Sequence, residues 1–206
     1  LNFGLAAERA KLEGFEVEMV IVGDDCAMAA EDVGIAGRRG LAGTLFVHKV
    51  AGAAAKAGKS LREVAEEARA CAESVGTMGV ALEACTLPGS SGVAREIPEG
   101  TMELGLGIHG EPGARTAKMA SCDEVVETLL TNVFERNEKL SKLGENSKVA
   151  LMVNSLGATP LMELYVAARA AFAWMACKKK IRVTHAYVGT FMSAIDMNGF
   201  SVTVCA

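Results

Sequence analysis

The sequence predicts an α/β protein, and two observations carry that prediction. Segments with helical periodicity alternate with short apolar runs, which is the order that packs helices against a sheet. The composition agrees, because 22 glycines, many alanines and only 5% aromatic residues favour close helix-on-sheet packing over a β-sandwich. With 50% apolar and 22% charged residues, the 206-residue chain can bury a real core, as one large or two small domains.

The first third of the chain has the pattern of part of a parallel α/β unit. Ser60 and Glu63 have the spacing of a capping box, which predicts that a helix begins there. The predicted elements are a helix from Asn2 to Glu13 that ends at Gly14, a strand from Glu16 to Val22, a loop from Asp24 to Gly40, and helices from Thr44 to Ala57 and from Ser60 to about Ser74.

From Thr77 onward the order changes to strand, strand, helix, strand, helix, strand and strand. This order predicts a two-layer α/β subdomain in which a mixed sheet has its helices on one face. Thr159 and Pro160 are predicted as the N-cap and the first helical residue of the second helix. The predicted elements are Met78 to Leu87, Thr101 to His109, a helix capped at Ser121 and running to about Leu140, Lys148 to Asn154, the helix after Thr159, Ile181 to Gly189, and Phe200 to Cys205.

His109 is the residue whose setting is most informative about function. Alternation from Thr101 to Ile108 gives one apolar face, so His109 is predicted to point away from it. The glycines around it, Gly107 and Gly110, allow a ligand or another backbone to come close. From the residues alone, a histidine before a Glu-Pro-Gly turn is more often a hairpin feature than a catalytic residue.

Other polar residues have a structural and a functional interpretation. Asp24 and Asp25 suggest a metal site, but adjacent carboxylates after a strand more often serve as turn or helix-start residues. Glu111 either orients the His109 ring or is an exposed turn carboxylate, and the second is the commoner case. The remaining histidines, at positions 48 and 185, are predicted to be packed structural residues, and no metal site is predicted.

Charge and cysteine content narrow the function classes. The net charge of −4 and the absence of a long basic run argue against nucleic acid, and Lys178 to Lys180 is predicted to mark a helix end. No apolar run reaches 18 residues and no signal-peptide pattern follows Leu1, so we expect no membrane span and a cytoplasmic location. The six scattered cysteines are predicted to be reduced and mostly buried.

Seven segments, in order, resemble the substrate-binding (K) domain of the dihydroxyacetone (glycerone) kinases. Individually each is short, but together they cover essentially the whole chain. They are Val20 to Asp25, Gly37 to Thr44, Val47 to Ala55, Val80 to Thr86, Gly105 to Gly113, Val153 to Gly157 with Glu163 and Leu164, and Gly189 to Ala194.

The resemblance implies a catalytic role for His109, which in this family forms a covalent hemiaminal with the ketone of dihydroxyacetone. It implies substrate-binding roles for Gly107 and Gly110. Residues 1–76 would be the C-terminal part of the first K subdomain, a remnant of a three-layer parallel α/β subdomain. Residues 77–206 would be the second, two-layer subdomain with a mixed sheet, which carries His109. In the family an aspartate of a Gly-Asp pair, expected upstream of Leu1, works on the substrate, so the chain alone is expected to be inactive.

The resemblance also implies what the chain depends on. ATP and Mg²⁺ would bind to a separate L domain or subunit, and none would bind to this chain itself, which has no Walker-type glycine loop. Arg38 and Arg39 fit phosphate contacts and a surface loop about equally well. The expected activity is a phosphotransferase with an alcohol acceptor that serves glycerol metabolism, in a homodimer. The ATP-dependent branch is favoured over the phosphoprotein-dependent one, and a non-catalytic dihydroxyacetone-binding or regulatory paralogue is the alternative. The sequence does not address a flavin cyclase activity.

Overall fold

A computed structural model describes residues 2–28, 37–90, 92–93, 95–109 and 111–206, and its centre is one six-stranded sheet. The helices are α1 (Asn2–Leu12), α2 (Thr44–Lys56), α3 (Leu61–Glu73), α4 (Cys122–Arg136), α5 (Glu138–Ser141) and α6 (Leu161–Trp174), which continues as a π-helical turn (Met175–Lys179). The strands are β1 (Val75–Glu83), β2 (Thr101–Leu104), β3 (Arg115–Lys118), β4 (Lys148–Ser155), β5 (Arg182–Gly189) and β6 (Asn198–Cys205).

The strand order is β3-β2-β1-β6-β4-β5, and the sheet is mixed. Strands β4 and β5 are parallel, and every other neighbouring pair is antiparallel. The predicted α/β class with a mixed sheet is therefore confirmed. Strand β3 was not predicted, because its sequence, Arg-Thr-Ala-Lys, has no apolar alternation and none of its residues is fully buried.

Helices α4 and α6 cover one face of the sheet and form the main core with it. The rings of Phe134 on α4 and Trp174 on α6 pack in a tilted arrangement with centroids 5.4 Å apart, which joins the two helices. Their fully buried neighbours include Val126, Leu129, Leu130, Val133, Leu151, Val153, Ala171, Met175, Val202 and Val204. These two helices are the ones that were predicted to share a face.

Helices α2 and α3 lie against the opposite face, so the centre of the sheet is covered on both sides. Phe46 of α2 and Cys71 of α3 form a second buried cluster with Val75, Met152 and Cys205 of the sheet. The prediction of helices on one face therefore holds for α4 and α6 alone, within residues 77–206. The division of the chain at residues 76 and 77 stays a prediction.

The predicted strand from Glu16 to Val22 is wrong. These residues form neither a helix nor a strand, and no strand ladder joins them to any other part of the chain that the structure describes. Ile21 is 78% exposed, so the apolar run that suggested a buried strand has no sheet to pack into. A strand needs a hydrogen-bonded neighbour, and periodicity alone does not supply one.

The predicted capping box at Ser60 and the predicted cap at Ser121 are both formed, each as a capping box, whereas the cap of α6 differs from its prediction. The hydroxyls of Ser60 and Ser121 accept from the backbone N–H groups three residues later, and the glutamates there return the bond. Pro160 is the N-cap of α6, not its first residue, because its ψ of 152° is extended. The Thr159 hydroxyl instead donates to the Gly199 carbonyl, at 2.7 Å.

None of the six cysteines is in a disulfide, and four of them are buried, as predicted. Cys122 is partly buried and Cys177 is exposed. Among the described residues, no helix is both long enough and apolar enough to cross a membrane.

Candidate functional site

The loop after β2 carries His109, and it begins at Gly105. The strand was predicted to continue to His109, but it ends at Leu104, because Gly105 adopts a left-handed φ of 76°. A side chain at position 105 would overlap Ala27, so only glycine fits this backbone and this approach. The Gly105 N–H donates to the Gly79 carbonyl at 2.7 Å, which fixes where the loop leaves the sheet.

Apolar side chains hold the underside of this loop. Leu106 is buried in a small cluster with Leu156 and Met197, and the half-buried Ile108 packs against the same cluster. The alternation predicted for a strand therefore survives in the loop, since residues 106 and 108 point inward and His109 outward. The side chain of His109 is 78% exposed.

Glu111 holds His109 at two points. Its Oε2 accepts the backbone N–H of His109 at 2.8 Å, and its Oε1 lies 3.0 Å from ring atom Nδ1. A carboxylate can only accept, so this contact favours the tautomer with hydrogen on Nδ1 and a free lone pair on Nε2. The interpretation of Glu111 as a mere turn carboxylate is wrong, because the turn brings it back onto the ring.

The pKa of Glu111 favours the anionic form that accepts from the His109 ring. Burial raises its pKa, but hydrogen bonds from its own N–H, from the His109 N–H and from the ring outweigh burial, so the pKa lies below the usual value. The group therefore stays an anionic acceptor over a wider acid range than an ordinary glutamate.

Gly107 gives this carboxylate its space. A Cβ at position 107 would overlap Oε2 of Glu111 and would lie 2.9 Å from Nη1 of Arg39. Its visible role is thus to admit Glu111, while its predicted contact with substrate stays a prediction. Gly110, the other predicted substrate-binding glycine, lies outside the described residues.

An ion pair ties residues near the chain's start to the loop. Nε of Arg39 donates to Oδ2 of the buried Asp25 at 2.6 Å, and Nη2 donates to the Gly105 carbonyl at 2.7 Å. The other Asp25 oxygen accepts the Ala27 N–H at 2.8 Å. Sequence reasoning considered Arg39 only as a phosphate or surface residue and missed this contact, which joins residues 66 positions apart.

Asp24 has the structural role that was predicted. Its two oxygens accept the N–H groups of Leu41 and Gly43, at 2.5 and 2.7 Å, just before α2 begins. Burial raises its pKa, and the hydrogen bonds from these two amides oppose that shift. Because all four oxygens of Asp24 and Asp25 are used within the protein, the pair does not fit a metal ion. Among the described residues no other cluster of acidic, histidine or cysteine side chains has metal-site geometry.

A third buried carboxylate, that of Glu103, supports the far side of the loop. Glu103 is 4% exposed, and its carboxylate accepts hydrogen bonds from both terminal nitrogens of Arg95. It also accepts the Gly113 N–H at 3.3 Å, so the turn after His109 is fastened to β2.

Two histidine predictions are wrong. His48 and His185 are exposed, not packed in the core. His48 lies on the outer side of α2. The pairing of β5 with β4 has a bulge between Val149 and Ala150, and this irregularity breaks the simple alternation on which the prediction for His185 rested.

The fold and the loop define an α/β domain that presents one oriented histidine on a glycine-rich turn at the end of a mixed sheet. Sequence comparison identifies it further. The chain belongs to the Dak1 domain family, whose sequence model matches residues 1–206.

Named relatives are similar over nearly the whole chain. A putative 3,4-dihydroxy-2-butanone kinase of Solanum lycopersicum is 54% identical over 99% of this chain and 34% of its own length. The triokinase/FMN cyclase of Homo sapiens is 44% identical over 99% of this chain and 35% of its own length. The dihydroxyacetone-binding subunit DhaK of a PTS-dependent kinase from Listeria innocua is 39% identical over 99% of this chain and 60% of its own length. The chain thus spans about a third of the first two relatives.

Two solved structures have the same fold. A dihydroxyacetone kinase operon co-activator, DhaQ, superimposes with a TM-score of 0.90 at 31% identity, over 99% of this chain and 61% of that one. The dihydroxyacetone kinase of C. freundii has a TM-score of 0.81 at 36% sequence identity, and the match covers 100% of this chain and 36% of that one. The family resemblance inferred from the seven sequence segments is therefore confirmed.

Proposed function

We propose that this chain is the substrate-binding domain of a dihydroxyacetone kinase and that His109 holds dihydroxyacetone as a covalent hemiaminal. The single observation that carries the proposal is the contact between Glu111 and Nδ1 of an otherwise exposed ring. It favours the tautomer whose Nε2 lone pair is free to attack a carbonyl. The names of the relatives point to small hydroxyketones as substrates.

The addition needs no group beyond the ring and its carboxylate. Nε2 attacks the ketone carbon, a C–N bond forms, and the carbonyl π electrons move to oxygen. Positive charge develops on the ring, where the neighbouring Glu111 carboxylate stabilises it. The ring then loses its Nδ1 proton as the oxygen gains one, so the hemiaminal is neutral. Glycerol has no carbonyl and cannot react, which gives selectivity that hydrogen bonds to hydroxyls alone supply poorly.

Phosphoryl transfer is assigned to another part of the enzyme. The four oxygens of Asp24 and Asp25 are already bonded to the protein, so these residues do not fit Mg²⁺. ATP with Mg²⁺ on a separate L domain would supply the phosphoryl group, giving dihydroxyacetone phosphate. The role of this chain is to bind the ketone and keep its free hydroxyl in place. By itself the chain would not turn over, and a homodimer is part of the same proposal.

The test is to detect the tetrahedral carbon directly. Dihydroxyacetone labelled with ¹³C at the ketone carbon is added to the intact protein and followed by NMR. We expect the carbonyl signal to lose intensity to a protein-bound tetrahedral carbon, and His109→Ala to abolish that signal. His48→Ala is the matched control, since His48 is another exposed histidine, and it should behave as wild type. A tetrahedral signal that survives in His109→Ala would refute the assignment.

A second candidate is a non-catalytic, ligand-sensing paralogue. The observation that favours it is the TM-score of 0.90 with a co-activator, against 0.81 with a kinase. Both candidates predict the hemiaminal, so turnover separates them. Formation of dihydroxyacetone phosphate after addition of an L domain, ATP and Mg²⁺ supports the kinase. Tight ketone binding without any product supports the sensor.

A further inference from the structure

Two cysteines meet between helix α3 and the sheet. Sγ of Cys71 on α3 lies 3.8 Å from Sγ of Cys205 on β6, although 134 positions separate them in the chain. Their residues are only 6% and 9% exposed. Cys205 is paired with Val75 in the register of β1 and β6, so the contact lies where α3 leads into β1.

Apolar side chains surround most of the two sulfur atoms, although Sγ of Cys205 also lies 3.6 Å from the Ala206 carbonyl oxygen. The buried cluster around them consists of Ala42, Phe46, Val47, Ala68, Val75 and Met152. A disulfide has a sulfur–sulfur distance of about 2.05 Å, so the two atoms need to approach by about 2 Å. Rotation about the Cα–Cβ bonds of the two cysteines would bring the sulfur atoms together.

We propose that Cys71 and Cys205 are an oxidisable dithiol, which a small hydroperoxide converts into a disulfide that joins α3 to β6. The proposal is independent of the function proposed for His109. Because the pair is almost buried, an oxidant as small as hydrogen peroxide fits the site better than a bulky disulfide reagent.

The chemistry balances with one peroxide. The Cys205 thiolate attacks a peroxide oxygen and the O–O bond breaks, giving a sulfenic acid and hydroxide. Cys71 then attacks the Cys205 sulfur, the S–S bond forms, and the sulfenic oxygen leaves as water. The two thiol protons end on the two oxygens, so one hydrogen peroxide is reduced to two waters while two thiols lose two electrons.

The hydrogen bond between the thiols sets the order of attack. Either thiol can donate in this contact; with Cys71 as donor, the bond lowers the pKa of Cys205, although burial opposes the shift, and raises the pKa of Cys71. Thiolate is the reactive form, so Cys205 reacts first and Cys71 resolves the intermediate. The product would fix α3 covalently to the sheet and restrict opening of the α2–α3 layer.

The experiment starts from Cys177→Ser, because exposed Cys177 would otherwise react with peroxide or with other molecules. The intact protein is treated with hydrogen peroxide, free thiols are alkylated under denaturing conditions, and the unreduced digest is analysed by mass spectrometry. We expect one peptide pair that joins Cys71 to Cys205, lighter by two hydrogens and separated by dithiothreitol. Amide hydrogen exchange in α3 should slow by roughly ten-fold on oxidation.

Substitutions at the pair and elsewhere complete the design. Cys71→Ala should remove both the cross-link and the change in exchange, whereas Cys85→Ala, at another buried cysteine, should keep both. Recovery of Cys71 and Cys205 as separate alkylated or over-oxidised residues in the folded Cys177→Ser protein would overturn the proposal. Because ketone binding is measured separately, that result leaves the assignment of His109 intact.

Discussion

Replacing Glu111 by glutamine tests how much the carboxylate contributes to ketone binding. Glutamine has the same size and its amide oxygen can still accept from Nδ1, so the substitution removes the charge while one hydrogen bond is kept. A hydrogen bond to a charged group contributes about 1.5–3 kcal/mol, and a neutral one about 0.5–1.5 kcal/mol. Since the Glu111 side chain is 41% exposed, solvent screening favours a difference at the low end, about 1 kcal/mol.

That difference corresponds to an affinity for dihydroxyacetone weaker by about five-fold in Glu111→Gln. Glu111→Ala removes the acceptors for both Nδ1 and the His109 N–H, so its loss should be larger, about thirty-fold. Isothermal titration gives the two dissociation constants, and the ¹³C signal of the tetrahedral carbon shows whether the bound ligand is still covalent. The argument fails if both variants bind the ketone as wild type does, because the carboxylate would then only shape the turn.

Three further outcomes follow from the structure. Gly107→Ala should displace the Glu111 carboxylate and weaken ketone binding at least ten-fold, whereas Gly52→Ala, whose added methyl group meets nothing within 4 Å, should leave binding unchanged in the same titration. Leu130→Ala, on the buried face of α4, should lower the free energy of unfolding by about 2–5 kcal/mol in a urea titration; a loss below ~1 kcal/mol would contradict the packing. The folded-state pKa of Glu124 lies below its usual value because Ser121 donates to it, so its contribution to stability is present above the unfolded pKa and is lost as pH falls through the folded pKa. Thermal unfolding from about pH 6 to pH 3 should therefore show a shallower decline for Glu124→Gln, and an identical decline would disprove the cap's role.

Local chemistry made much of the fold predictable. Both capping boxes are within four residues of sequence, and the helices they start were predicted nearly at their true positions. The strand predicted from Glu16 to Val22 is wrong for the opposite reason, because a strand depends on a hydrogen-bonded neighbour that the local sequence does not reveal. Strand β3 was not predicted because it is an edge strand, where burial imposes no apolar pattern on the sequence.

The site was predictable in its central residue and not in its supports. The outward direction of His109 followed from alternation, and that direction survived even though the strand ends five residues earlier. The contact between Glu111 and the ring depends on how the turn folds back, and the pair of Asp25 with Arg39 depends on tertiary packing. Neither type of contact has a signature in residue spacing, so both required the structure.

Strand β3 has a consequence for how the His109 loop can be reached. It is only four residues long, it carries Arg115 and Lys118 at its ends, and it is the outermost strand on the side of β2 from which the loop leaves. A short outer strand with cationic ends is a poor template for another strand, since a newcomer would gain few backbone hydrogen bonds. Addition of another strand on this side of the sheet is thus disfavoured, and a macromolecule that reached the His109 loop from there would have to bind by shape and charge.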